Sequence, residues 1–378
     1  MTIHIRQVIE KEDYRRFAQF GLDLYKGNPY FIPPLISDVI NTIHHSKNPA
    51  FEHCEATFFL AYKGETIVGR IGVIINHKAN KIWNQKNARF GFVDFIDNEE
   101  IVDALFQAAE EWAFNKGMEK LQGPMGFCNM DAEGMLIEGF DQMSTIATIY
   151  NYPYYPKHLQ RLGYTTDQEA IEYLITIPRE IPERFERVSE IVKKRFGVTI
   201  KNIQRKKDVY PYAREIFKLI NLAYKDLYGF VELTDRQIDH YVEQYIPLLR
   251  LDFLTLVVRE KDNKLVGIGI GLPSVVKAMQ KAQGKLFPFG WYHLMRAVKR
   301  DNNPILELLL VAIDPEYQGK GLNALIMGDF NAAALRLGYV YAESNPELVD
   351  NTRVQSMWNG METKLTKKRR VLIKQLSK

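Results

Sequence analysis

The chain has little cysteine. Cys54 and Cys128 are the only two in 378 residues, too few for a disulfide framework or a cysteine-built metal site, so no metal is expected. It has no apolar run near the ~20 residues of a membrane-spanning helix, and the start, Met-Thr-Ile-His-Ile-Arg, has no signal-peptide core. Charge of one sign is also scarce. Fifty Lys and Arg against 46 Asp and Glu leave a net charge of +4, too little to argue for nucleic acid. The basic run Lys364–Lys374 is interleaved with β-formers and reads as a last strand with a solvated basic face. These absences point to a soluble protein of the reducing cytoplasm with neither a nucleic-acid nor a membrane partner.

What is present is an ordinary globular balance, 46% hydrophobic and 25% charged, at a length that suggests two domains. The most informative stretch is Val311-Ala-Ile-Asp-Pro-Glu-Tyr-Gln-Gly-Lys-Gly-Leu-Asn323. The apolar run Leu306–Ile313 predicts a buried strand, and Asp314-Pro315 ends it. Small and apolar residues at helical spacing from Ala324 to Leu337 predict a helix stopped by Gly338. A strand, a short glycine loop and a helix place free amide N–H groups at a helix N-terminus, a site suited to a pyrophosphate. Lys320 adds positive charge there. A second reading gives the glycines to the turn alone. The spacing fits neither a Walker loop nor the Gly-x-Gly-x-x-Gly dinucleotide pattern.

The element order repeats. In the first half, a strand at Ile3–Val8 leads to a helix at Lys11–Tyr25. A hairpin of Thr57–Tyr62 and Ile67–Ile75 follows, then a strand at Phe90–Phe95, a helix at Val102–Lys116 and a strand from Lys120. In the second half, Thr199–Gln204 is strand-like, and Val209–Tyr224 and Asp235–Gln244 are helical. A hairpin of Phe253–Arg259 and Leu265–Leu272 precedes Leu306–Ile313, its helix, and a strand at Tyr339–Ser344. The linker is placed in Ile177–Pro182, giving domains 1–178 and 183–378.

This segment resembles motif A of the GNAT superfamily of acyl-CoA N-acyltransferases, whose loop reads Gln/Arg-x-x-Gly-x-Gly/Ala. Gln318, Gly321 and Asn323 occupy its three defining positions, with Asn323 departing from the small residue. The resemblance implies a mixed α/β (α+β) fold of two tandem GNAT-like domains, each a mixed, mostly antiparallel sheet flanked by helices. It implies acetyl-CoA or another acyl-CoA as co-substrate. The cofactor-binding set would be Leu310, Val311 and Ile313 along pantetheine, Gln318, Gly319, Lys320, Gly321, Leu322 and Asn323 around the pyrophosphate, and Asn351. Val311 would offer its amide to the thioester carbonyl. The implied reaction is N-acylation of a small-molecule or peptide amine.

The chemistry needs a base for the ammonium and often an acid for the thiolate. Glu307, the one carboxylate on the central strand, is the candidate base. Strand alternation puts Glu307, Leu309 and Val311 on one face, and its other reading is an edge charge. In the family the acid is often a Tyr seven residues after an Asn. Here Asn351 is followed at that spacing by Trp358, whose indole is not an acid at neutral pH. Tyr317 and Tyr341 are the substitutes nearest in sequence. Glu343 and Asn345, at the end of the fifth strand, are candidates for the acceptor site.

The first half has no glycine loop. Its Asp94–Glu100 run puts carboxylates at the helix N-terminus, which would repel a pyrophosphate. Its aromatic segment around Asn151, Tyr154 and Tyr155 resembles bacterial tandem-GNAT proteins of unassigned activity. It reads either as a substrate-recognition wall or as a packed loop covering a sheet edge. Two further functions stay open: a CoA- or ligand-binding protein whose chemistry has decayed, and a Fem-type aminoacyl transferase.

Overall fold

A computed structural model describes residues 2–180, 183–299 and 304–377. Of the expected linker, Ile181 and Pro182 lie outside these. The strands in chain order are β1 (Ile3–Gln7), β2 (Cys54–Lys63), β3 (Thr66–Asn76), β4 (Asn87–Phe95), β5 (Lys120–Gly123), β6 (Met135–Glu138), β7 (Thr165–Thr176), β8 (Val198–Ile200), β9 (Leu254–Arg259), β10 (Leu265–Pro273), β11 (Ile305–Ile313), β12 (Tyr341–Ser344), β13 (Glu347–Leu348) and β14 (Thr363–Gln375).

The chain forms two compact units, and neither is one continuous half. Unit 1 is residues 1–171, 276–294 and 366–378; unit 2 is 172–275 and 295–365. The sequence-based boundary at 178/183 follows chain order, whereas the units exchange segments.

Unit 1 carries strands in the order β1-β2-β3-β4-β5-β14, antiparallel except for the parallel pair β4–β5. The helix Glu99–Asn115 buries Ile101, Val102, Leu105, Phe106, Ala109 and Ala113 against Val73, Phe90 and Phe95. This is the apolar stripe its sequence predicts, each large side chain contributing roughly 1.5–3 kcal/mol of burial. The last strand carries basic residues on both faces, and only one of these faces is the solvated one expected of it. Lys367 and Arg369 are fully buried, and the Arg369 guanidinium donates to the carbonyls of Gly134 and Ile149. Lys368, Arg370 and Lys374 do reach outward, to Glu138, Glu169 and Glu110.

Unit 2 carries β7-β12-β11-β10-β9-β8, with β11–β12 the parallel pair. The helix Leu322–Leu337 packs on one face of the sheet, and the helix Tyr210–Tyr224 contacts β10 and β11. β7 completes this sheet beside β12 through Leu174–Thr176, so a strand from before the expected boundary belongs to unit 2.

Candidate active site

The site is built where two parallel strands part. β11 and β12 pair from Ile305↔Tyr341 to Leu308↔Ser344 and then separate. Asn345 closes the apex, its Nδ2 donating to the Leu309 carbonyl at 2.6 Å. Beyond it, Leu310 to Ile313 keep β10 as a neighbour on one side only. An edge of backbone amides and carbonyls without a strand partner is a template for an extended amide-bearing chain.

A bulge re-aims this strand. β10–β11 pairing runs Ile270↔Leu310 and Gly271↔Leu308, leaving Leu309 as the extra residue. A bulge reverses the alternation of side chains beyond it. Leu306 and Leu308 pack on the helix Leu322–Leu337 before it, and Val311 and Ile313 do so after it. Glu307 and Val311 therefore point to opposite faces, which corrects the single face that alternation predicts. Glu307 is 1% exposed and sits in register between Leu272 and Glu343. Glu343 is half-buried on the adjoining strand.

The loop after β11 is anchored and open. Asp314 accepts from the Glu316 amide and from Lys264 at 3.0 Å, and Tyr317 packs edge-on to Phe196. The Gln318 side chain donates to the Ile313 carbonyl at 3.0 Å. Gly319 and Gly321 adopt φ of +71° and +88°, a region that favours glycine. A Cβ on Gly319 would meet nothing, whereas one on Gly321 would lie 3.1 Å from Val192. The helix starts at Leu322, so the amides of Leu322 and Asn323 have no intrahelical acceptor. Lys320 is exposed, its ammonium over the rings of Phe196 and Tyr317. An anion here would meet a helix N-terminus and a cation together.

The remaining sequence candidates separate. Tyr341 pairs with Ile305, six residues and about 20 Å along the strand from Val311, where the thioester is expected, which argues against it as an acid for the same reaction. Tyr317 is buried in the core beneath the loop. Asn351 caps the short helix Thr352–Gln355.

Two residues that sequence reasoning missed lie at the parting strands. The Tyr224 hydroxyl donates to the Val311 carbonyl at 2.9 Å; burial pushes its pKa up to about 12, so it stays protonated. Glu347 follows the apex. It is 7% exposed, one oxygen accepts from the Trp358 indole N–H at 2.7 Å, and Ser344 adds a side-chain hydrogen bond. Its second oxygen is buried with no hydrogen-bond partner among the described residues. Burial pushes the carboxyl up to about 7, and the bonds from Trp358 and Ser344 offset part of that rise. The seven-residue spacing from Asn351 to Trp358 draws the eye to Trp358; nothing in the sequence shows which carboxylate its indole meets.

Unit 1 has the same parting without the opening. β4 and β5 pair from Asn87↔Lys120 to Arg89↔Gln122 and then diverge. The edge of β4 is already occupied: Phe95 N–H donates to the Tyr155 hydroxyl at 3.1 Å, and the Tyr154 hydroxyl donates to the Phe95 carbonyl at 2.7 Å. Asn151 bonds both the amide and the carbonyl of Leu136. Asn151 and Tyr155 are buried, so these residues pack as a plug, in line with the packed-loop reading of the sequence and against that of a substrate-recognition wall. Nor does the whole Asp94–Glu100 run face the helix N-terminus. Asp94 is buried against Arg70 at 2.6 Å, Asp97 bonds His158, and Asn98 caps the helix, leaving Glu99 and Glu100 in its first turn. Among the described residues no group of three or more acidic, His or Cys side chains could hold a metal.

No family model matches the chain. It is 28% identical over 323 residues to Protein YghO of Escherichia coli (strain K12), covering 85% of this chain and 81% of that one. It is 26% identical over 338 residues to the bacterial ceramide synthase of Caulobacter vibrioides (strain NA1000 / CB15N), covering 86% and 85%. Among solved structures it resembles a tandem GNAT protein from the clavulanic acid biosynthesis pathway, with a TM-score of 0.55 at 14% identity, covering 100% of this chain and 99% of that one. The fold is therefore that of a tandem GNAT protein.

Proposed function

We propose that this tandem-GNAT chain is an N-acyltransferase that takes its acyl group from acetyl-CoA or another acyl-CoA and uses unit 2 for the chemistry. The observation that carries this reading is the parting of β11 from β12 after Leu308 and Ser344, directly before an open loop with Gly319 and Gly321 in left-handed conformation. Pantetheine amides would pair with the backbone groups of Leu310–Ile313 that Tyr224 and Gln318, bonded to the Val311 and Ile313 carbonyls, leave open, and the pyrophosphate would lie on the loop and first-turn amides beside Lys320. In unit 1 the tyrosine plug occupies the matching edge, which supports a structural role for that unit.

In this reading the amine attacks the thioester carbonyl, the C–N bond forms, and the C–S bond breaks with CoA leaving as thiolate. The ammonium's proton must leave first. Glu347 fits that task better than Glu307: a carboxyl with a pKa near 7 is a competent base at neutral pH, and it lies by the strand apex. Once protonated, it is also the acid from which the thiolate can recover a proton, while the second proton of the attacking nitrogen leaves to solvent as the amide forms. Trp358, in place of the family's tyrosine, then serves by tuning Glu347.

The relative named a ceramide synthase suggests the acceptor class. Ceramide formation acylates a long-chain amine, and we take a hydrophobic primary amine as the first acceptor to test. The experiment is thiol release from acetyl- and long-chain acyl-CoA with long-chain amines, polyamines and peptide N-termini. Amine-dependent release lost in Glu347→Gln supports the reading. Acyl-CoA binding without release for any amine class would favour a non-catalytic CoA-binding protein.

A further inference from the structure

We propose that the segment Val276–Lys299 docks the protein onto an anionic bilayer surface. Its first helix, Val276–Ala282, is anchored within unit 1. Gln280 donates to the carbonyls of Pro29 and Phe31, the Ile36 amide donates to the Gly284 carbonyl, and Val276, Met279 and Ala282 are buried. From that fixed base an aromatic tip projects. Phe287 is 76% exposed, Phe289 69%, Trp291 48% and Tyr292 49%. Four large aromatic side chains within six residues make up an exposed apolar surface of the kind that marks an interaction site.

The charge around the tip selects the partner. Between Val276 and Lys299 stand Lys277, Lys281, Lys285, Arg296 and Lys299, with no Asp or Glu. Lys281 and Lys285 are exposed and precede the aromatics in the chain, and Arg296 and Lys299 lie in the last turn of the helix Gly290–Lys299. Aromatics that enter the headgroup boundary, ringed by cations that meet anionic lipid, are the physical signature of an element lying on a membrane. Trp291 and Tyr292 add rings with one polar atom each, suited to that boundary. A protein partner would be expected to bring its own acidic groups, and a second copy of this segment would oppose like charges. The absence of a membrane-spanning helix among the described residues is compatible with this, since lying on a bilayer and crossing it are different demands.

The test is cosedimentation of the full chain with vesicles of phosphatidylcholine, with and without phosphatidylglycerol. The wild type should bind the anionic vesicles, less tightly as salt rises. Phe287→Ser combined with Phe289→Ser should weaken binding at least ~10-fold, since each side chain loses apolar burial. Both residues are largely exposed, so an unchanged melting temperature should show that the fold is intact. Lys281→Glu combined with Lys285→Glu should remove the preference for anionic lipid. No wild-type binding, or binding unchanged in both double variants, overturns the proposal. A concentration-dependent dimer abolished by the Phe variants, with no vesicle binding, would assign the patch to a second copy and overturn it equally.

Discussion

Trp358 donates its indole N–H to Glu347 at 2.7 Å, so the indole acts on a carboxylate eleven residues before it. A hydrogen bond to the charged form favours ionisation, while burial opposes it, and here burial prevails.

That balance predicts a stability profile. The folded carboxyl titrates at about 7, above the ordinary unfolded value of about 4.3. The fold therefore holds the proton more tightly than the unfolded chain. The stabilisation is complete below the unfolded value and is lost as pH rises toward 7. Glu347→Gln should flatten the fall in melting temperature over that window. An identical slope in wild type and variant would show that Glu347 titrates normally.

Trp358→Phe removes the donor to the charged form. Glu347 should then titrate at a still higher pH, and the rising limb of the rate profile should move upward with it. If the limb stays in place while activity falls, Trp358 acts through packing alone.

The two loop glycines should respond differently. Gly319→Asp has open space, and aspartate tolerates a left-handed backbone better than most residues, so the protein should fold and lose acyl-CoA binding through like charge. Gly321→Ala adds a Cβ 3.1 Å from Val192 at φ +88° and should cost about 1 kcal/mol of stability or more. Thermal unfolding of both variants checks this; equal destabilisation would mean the loop is packed alike at both positions.

Unit 1 should depend on a buried charge pair. Arg70 and Asp94 meet at 2.6 Å, and Asp94 also accepts from the Tyr25 and Tyr155 hydroxyls. Arg70→Ala strands the carboxylate and should cost roughly 3–5 kcal/mol in denaturant unfolding. A loss under about 1 kcal/mol would show the carboxylate rehydrates.

Much of this was legible in the sequence. The strand from Leu306, the glycine loop, the helix to Leu337 and both hairpins follow from apolar periodicity and turn residues. The bulge at Leu309 was not, because five consecutive apolar residues, Leu308 to Ala312, give no local mark of where alternation reverses. The segment exchange was also hidden: β7 and β14 look like ordinary strands, and a strand's partner is set by register and burial, which are non-local. The same exchange predicts that residues 1–178 alone will not fold, lacking β14, and that 183–378 will lack β7. Cooperative unfolding of either fragment would contradict that. The tyrosines near Asn151 were visible as a cluster, but only the packing shows that the hydroxyls of Tyr154 and Tyr155 serve Phe95.

The most direct measurement is calorimetric titration of acetyl-CoA into the wild type and Gly319→Asp. One site per chain is expected in the wild type and none in the variant, whose melting temperature without ligand should fall by no more than the modest cost of a non-glycine residue at φ +71°. Two sites per chain, or equal affinity in the variant, would contradict a single acyl-CoA site on the loop that follows β11.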